Sequence, residues 1–298
     1  MIPRTLYDSD HQIFRDSVRK LIENEALPRH AEWEKAGCVS RDIWLQAGSQ
    51  GFLCPMVPEK YGGVGGDFRF NAIVGEEIGR AGASGLGWTL HSDIAVPYVV
   101  RYGSEAQKKK YLPKCISGEL IMAIAMTEPG TGSDLQAITT TAVRHGDEYI
   151  LNGSKTFITN GIMSDLVIVV AKTDPAAGGK GISLFLVEAG LDGFSKGQNL
   201  EKLGMKAQDT AELFFQDVRV PAENLLGEEG RGFIYLMQDL PQERLSVAVS
   251  GMGTCKVLIE QTVTYTQQRK AFGSNVAAFQ NTQFKLAELD TEVTSAEV

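Results

Sequence analysis

Residues that bind metals or make disulfides are scarce, and none is spaced for that chemistry. The chain has four cysteines and four histidines in 298 residues. Cys38, Cys54, Cys115 and Cys255 form no CxxC pair, which predicts reduced thiols in a cytoplasmic setting. His11, His30, His91 and His145 show no ligand spacing, so no metal site is expected and the imidazoles are read as structural or solvated. Positive charge is in deficit: 29 Lys and Arg face 37 Asp and Glu, a formal charge of −8. That argues against a nucleic-acid partner, which leaves a basic footprint, but leaves room for a local basic pocket around a phosphorylated ligand. No apolar run approaches a membrane span, so no stable membrane insertion is expected. The N-terminus lacks the apolar core of a signal peptide and is too acidic for a transit sequence. Cytoplasmic localisation is expected, or the mitochondrial matrix if the chain is eukaryotic.

The 43% hydrophobic and 22% charged fractions are those of an ordinary globular protein. The first third has helical period. Ile13, Phe14, Val18, Leu21 and Ile22 recur at helix spacing after a cap at Asp8 or Ser9, and Pro28 marks an end or a bend. Further helices are predicted over 41–50, 68–80, 92–102 and 105–116, with Gly51 and Gly118 as stops. The glycine run at 61–67 fails the dinucleotide spacing and follows no strand, so it is read as a structural loop. From Ile121 the period changes. Short β-branched runs at 121–126, 139–144, 148–152, 155–159, 166–171, 182–188 and 211–220 predict strands. His145-Gly146-Asp147 and Asn152-Gly153 are read as hairpin turns, and 173–180 as a surface loop. After Gly230 the helical period returns over 233–240, in a long helix through Tyr265, and over 279–293. The expectation is an α+β multidomain chain: a helical domain over 1–120, a β-barrel or sandwich over 121–228, and a helical region over 229–298.

Four segments carry candidate chemistry. At Met122 to Asp134 an apolar run stops at Thr127, Glu128, Pro129, Gly130, Thr131, Gly132, Ser133 and Asp134. The hydroxyls and glycines suit a strand end that brings backbone close to a ligand, with Asp134 placed to cap the next turn; an ordinary tight loop is the alternative. At Lys155-Thr-Phe-Ile-Thr-Asn-Gly161 a strand carries Phe157 and Thr159 into a turn, either as a buried core strand or as a contact for a flat ring with a polar edge. At Leu240-Pro-Gln-Glu-Arg-Leu245, Pro241 suits a first helical turn or a kink. The first option puts Glu243 near a helix N-terminus, where the dipole favours its ionised form; a solvated glutamate is the bland reading. Glu243 and Arg244 are neighbours and do not share a helix face. At Gln268-Arg-Lys-Ala-Phe-Gly273, followed by Phe279-Gln280, two cations and an aromatic lie at a helix end, suited to a pyrophosphate or simply to the dipole.

Taken in order, these segments resemble the acyl-CoA dehydrogenase family over essentially the whole chain. Pro58 to Asp67, Leu203-Gly-Met-Lys206 and the strand from Asp209 to Phe215 add to the likeness. The resemblance implies a helical N-terminal domain, a central β-domain and a C-terminal helical bundle. It implies FAD as cofactor and an acyl-CoA substrate whose α-proton passes to a carboxylate and whose β-hydride passes to the flavin, within fatty-acid β-oxidation. Ile124, Ala125, Met126, Thr127, Glu128, Pro129, Gly130, Thr131, Gly132, Ser133, Phe157, Ile158 and Thr159 would line the flavin. Arg269 and Gln280 would reach it across a subunit interface in a homodimer or homotetramer. The context of Glu243 is most similar to the long-chain branch, which implies Glu243 as the base, with Ser133, Pro241, Gln242 and Arg244 beside the substrate. Electron-transfer flavoprotein is the implied acceptor. Two other readings follow from the same likeness: an acyl-CoA oxidase, and a catalytically silent acyl-CoA-binding relative. The second arises because family members continue beyond Val298 for several helices, including a Gly-rich segment that contacts FAD.

Overall fold

The computed structural model describes residues 4–298. Met1, Ile2 and Pro3, part of the N-terminus read above for targeting signals, lie outside them. Helix α1 (Ser9–Leu21) is capped by Asp8, whose side chain accepts from the backbone N–H groups of Asp10 and His11. A π-helical turn, Ile22–Ala26, leads into α2 (Leu27–Ala36). Pro28 lies in the first turn of α2, where its missing N–H costs nothing. Then come α3 (Arg41–Ser49), α4 (Phe68–Ala81), a second π-helical turn at Leu90–Ala95, α5 (Val96–Tyr102) and α6 (Glu105–Ser117). Left-handed Gly118 closes α6, as its position in the sequence predicts.

Seven strands follow: β1 (Met122–Ala125), β2 (Thr141–His145), β3 (Glu148–Thr159), β4 (Leu166–Lys172), β5 (Ile182–Glu188), β6 (Phe194–Asn199) and β7 (Thr210–Pro221). They form one curled sheet of two wings. In one wing β4 pairs with β1 in parallel and with β5 antiparallel. In the other β2, β3, β7 and β6 are joined antiparallel. The wings meet where Thr141 pairs with Lys172.

Period-2 alternation places the first wing between two cores. Met122 and Ile124, Leu166, Ile168 and Val170, and Ile182, Leu184 and Leu186 face the core shared with the helices. Their neighbours Ala123 and Ala125, Val167 and Val169, and Phe185 and Val187 face a second core with Tyr149, Leu151, Leu213 and Phe215. A strand buried on both faces is apolar almost throughout, which explains the unbroken runs in the sequence.

One expected turn is absent and one strand is unanticipated, each for a physical reason. Asn152-Gly153 is not a turn; β3 runs straight through it, with a bulge between Leu151 and Gly153. A Cβ on Gly153 would fall 2.4 Å from Thr140 Oγ1, so the glycine serves close packing within the sheet. Strand β6 carries Phe-Ser-Lys-Gly-Gln-Asn, with no alternation to reveal it, and is held at the sheet edge by β7.

Helix α7 (Gly232–Gln268) is a single helix of 37 residues that runs through Pro241. Glycines bring it against α4: a Cβ on Gly79 would lie 2.2 Å from Ser250 O, and one on Gly253 2.5 Å from Glu76 O. A two-residue hairpin, β8 (Lys270–Ala271) with β9 (Ser274–Asn275), connects it to α8 (Gln280–Glu297). Leu258, Tyr265, Phe284 and Leu289 on these two helices are exposed. No helix among the described residues is long and apolar enough to cross a membrane.

Candidate active site

The loop after β1 is shaped from behind. Glu128 and Thr131 bridge the turn through their backbones. The Glu128 side chain points inward, not toward a ligand. It accepts from Thr139 N at 2.6 Å, Thr139 Oγ1 at 2.7 Å and Thr140 N at 3.0 Å, and pairs with Lys155 Nζ at 2.9 Å. Burial alone would raise its pKa, but the Lys155 ammonium and the Thr donors outweigh that and hold it at about 2. Lys155 Nζ also donates to Met126 O, and Thr156 N to Thr127 O at 2.9 Å. The first two sequence segments are therefore stitched together at three points. Asp134 makes no side-chain cap; instead Thr131 Oγ1 donates to its carbonyl.

The outer surface of this loop is open. Gly130 has no atom within 4 Å of a built Cβ, and Gly132 only a methyl group at 4.0 Å. Neither has positive φ, so neither packing nor conformation within the chain requires glycine there. The open face they leave is suited to a closely approaching ligand. Pro129, Gly132 and Ser133 are exposed, and Met126, Thr127 and Thr131 half-buried. Ile124, Ala125 and Ile158 bury their side chains in the cores, leaving backbone groups for contact. Phe157 does the reverse. It is 68% exposed and sits at φ +57°, a strained position for a bulky residue. Thr159 beside it is half-buried. An open glycine turn flanked by a presented aromatic ring and hydroxyls fits a flat ring with a polar edge and a phosphate tail, the shape of FAD.

Glu243 lies in the interior of α7, eleven residues after Gly232. The expected helix N-terminus is absent, so the dipole does not act on it. Nor is it solvated: it is 9% exposed, and Tyr98 Oη donates to its Oε1 at 2.7 Å. Burial pushes its pKa up, opposed by the Tyr98 hydrogen bond and the Arg244 charge. Among the expected substrate contacts, Pro241 and Arg244 are exposed, and Arg244 makes no ion pair among the described residues. Gln242 is engaged within the fold, donating to Asp93 O at 2.8 Å and accepting from Arg101 at 2.8 Å. Arg101 also pairs with Asp239, which accepts from Tyr102 Oη at 2.7 Å. Helix α5 thus grips α7 on both sides of Pro241, where the helix lacks a backbone hydrogen bond.

The π-helical turn Leu90–Ala95 joins the two halves of the site. His91 Nδ1 accepts from Met122 N–H at 3.0 Å, and its Nε2–H donates to Cys115 O at 3.1 Å. Burial holds this imidazole neutral, with its pKa down at about 4. Two residues on, Asp93 accepts from Ser246 Oγ at 2.5 Å and Asn71 Nδ2 at 2.6 Å. One turn therefore fixes both the strand that feeds the glycine loop and the helix turn that carries Glu243. Asn160 adds a third tie, donating to Gly87 O and Met122 O. Of these residues only Met122 and Asn160 lie in the segments that carry candidate chemistry; His91, Asp93, Asn71 and Ser246 lie outside them.

Arg269 and Gln280 are not brought to this site. Both are exposed, Arg269 at the far end of α7 and Gln280 at the start of α8. At 1.5 Å per residue, Arg269 lies about 39 Å along the helix axis from Glu243. Among the described residues there is no cluster of metal-ligating side chains, and all four cysteines are free.

Comparison with known proteins covers the same segments. The family model described as acyl-CoA dehydrogenase, N-terminal domain, matches residues 8–119; the middle-domain model matches 123–218 and the C-terminal-domain model 230–298. The mouse long-chain specific acyl-CoA dehydrogenase is 56% identical over 97% of this chain and 68% of its own length. An acyl-CoA dehydrogenase from Geobacillus kaustophilus superposes with TM-score 0.96 at 53% identity, over 98% of this chain and 78% of that one. One from Bacillus anthracis, solved in complex with FAD, gives 0.92 at 35% identity, over 99% of this chain and 51% of the other.

Proposed function

The chain belongs to the acyl-CoA dehydrogenase family, and on that premise we propose that it oxidises long-chain acyl-CoA thioesters to trans-2-enoyl-CoA with Glu243 as the base. The observation that carries this reading is the buried carboxylate of Glu243, held on the turn of α7 that the Leu90–Ala95 segment ties to the open glycine loop. An α C–H beside a thioester is weakly acidic. A carboxylate removed from water and raised in proton affinity is matched to it.

Glu243 takes the α-proton while the β C–H electron pair leaves as hydride, and the Cα–Cβ double bond forms between them. When bound, FAD would supply the acceptor for that hydride, and electron-transfer flavoprotein is the proposed onward electron acceptor. Backbone groups of Gly130 to Ser133, the hydroxyl of Thr127, the Phe157 ring and Thr159 would hold the cofactor. Arg269 follows the end of α7, about 39 Å along its axis from Glu243, and exposed Gln280 opens α8 beyond it, an arrangement that supports a homo-oligomer sharing its cofactor sites. Exposed Arg244 would neighbour the acyl or CoA path of the substrate.

Anaerobic titration of the purified protein with saturated acyl-CoAs tests the reading. Flavin absorbance should bleach, fastest with long chains. Glu243→Gln should keep the flavin and lose the bleaching. Colourless protein after addition of FAD, or unchanged bleaching in the variant, would count against it. Peroxide release that depends on oxygen would mark an oxidase instead.

A further inference from the structure

Tyr98 is fully buried on α5, and its hydroxyl meets Glu243 from 145 positions away in sequence. The hydrogen bond engages Oε1. Among the described residues no group donates to Oε2, and Oε2 is not among the sealed, unpartnered atoms. The carboxylate therefore has one oxygen anchored in the protein and one left free.

The groups around this pair are already committed elsewhere. On α7, Asp239 is paired with Arg101 and bonded by Tyr102, both from α5. On the π-helical turn, Asp93 is held by Ser246 and Asn71. Farther along α7, opposite Gly253, Glu76 and its neighbour Glu77 on α4 pair with Arg15. Arg244 is exposed, so its charge is screened by solvent. Tyr98 is the only one of these groups bonded to the Glu243 carboxylate among the described residues.

We infer that Tyr98 is the positioning residue of the base: its donated hydrogen bond keeps the buried Glu243 carboxylate ionised and turns Oε2 toward the substrate as the proton acceptor. The inference rests on Glu243 being the base. A donor on one oxygen favours the charged form and fixes the carboxylate plane, while the other oxygen keeps its lone pairs. Burial pulls the opposite way, so the hydroxyl offsets part of the desolvation that makes Glu243 a strong base. The ring supplies no proton of its own: burial and the neighbouring carboxylate push the phenol pKa well above its usual range.

Tyr98→Phe removes the hydroxyl and keeps the ring. Its Glu243 should titrate about one to two pH units higher than in the parent, the size expected for a lost hydrogen bond to a charge. The readout is the infrared carboxyl band that disappears in Glu243→Gln, followed with pH; it needs neither substrate nor turnover. The acid limb of flavin reduction should move by the same amount, with kcat/KM falling and substrate affinity unchanged. A fluorotyrosine at 98, a stronger donor in the same shape, should move the band the other way, and decides the matter if the phenylalanine variant folds poorly. An unmoved carboxyl band in either variant overturns the inference. Wild-type bleaching by Glu243→Gln would instead remove the functional reading, while the infrared titration still decides whether Tyr98 governs Glu243.

Discussion

Lys155 Nζ lies 2.9 Å from Glu128 Oε1, and both side chains are buried, 0% and 3% exposed. The pair joins the strand that presents Phe157 to the turn that presents Gly130 and Gly132. It is a brace behind the site, not a part of its surface. A buried ion pair contributes little net stability, but loss of one partner strands the other charge in the core.

Lys155→Met should therefore destabilise the protein by about 3–5 kcal/mol, read as a lower urea midpoint at pH 7. The double variant with Glu128→Gln should recover most of that, because no charge remains uncompensated. Its sign with pH follows from Glu128. The folded pKa of about 2 lies below the ordinary value of 4.5, so the stability it contributes is present above about pH 4.5 and lost as pH falls through about 2. That acid loss should be missing from the double variant. Equal midpoints for the single and double variants would show that charge burial is not the cause.

Phe157 pairs backbone strain with exposure. A left-handed conformation costs a bulky residue about 1–2 kcal/mol, and a side chain 68% exposed regains little of that by burial. Phe157→Gly should leave the apoprotein at least as stable as the parent in thermal melts. FAD binding should weaken about 3- to 10-fold, the value of one aromatic stack. Phe157→Ala keeps the strain and loses the ring, so it should bind as weakly without the gain in stability. Unchanged FAD affinity in both variants would take the ring out of the cofactor site.

Local chemistry made much of this molecule legible. The caps at Asp8 and Gly118, the hairpin at Gly146 and the apolar runs of β4 and β5 follow rules that act over a few residues. The glycine turn and the Phe157 strand were visible for the same reason. Pro241 was ambiguous because a proline fits both a first turn and a supported kink; the decision comes from Arg101 and Tyr102 gripping α7 from another helix. The groups that tune the site were invisible because their partners are distant in sequence. Tyr98 and Glu243 are 145 positions apart, Ser246 and Asp93 153, Met122 and His91 31. No spacing rule connects such pairs. The inward turn of the Glu128 side chain is not legible in the loop itself, because it depends on Lys155 in another strand.

Asp93 gives the fold a pH dependence of its own. Burial pushes its pKa up to about 7 from the ordinary value of 3.8, against the lowering effect of the Ser246 and Asn71 hydrogen bonds. Between those two values the folded protein keeps a proton that the unfolded chain has released. The stability this supplies is full below about pH 4 and is lost as pH rises through about 7. A pKa difference of about 3 corresponds to on the order of 4 kcal/mol. Asp93→Asn keeps the size of the side chain and cannot ionise, so its unfolding free energy should change less over that window than the parent's. The check is a set of urea unfolding curves at several pH values for both proteins. Parallel curves would place the titration on another group. Divergence centred near neutral pH would locate it in the turn that holds α7 to the site.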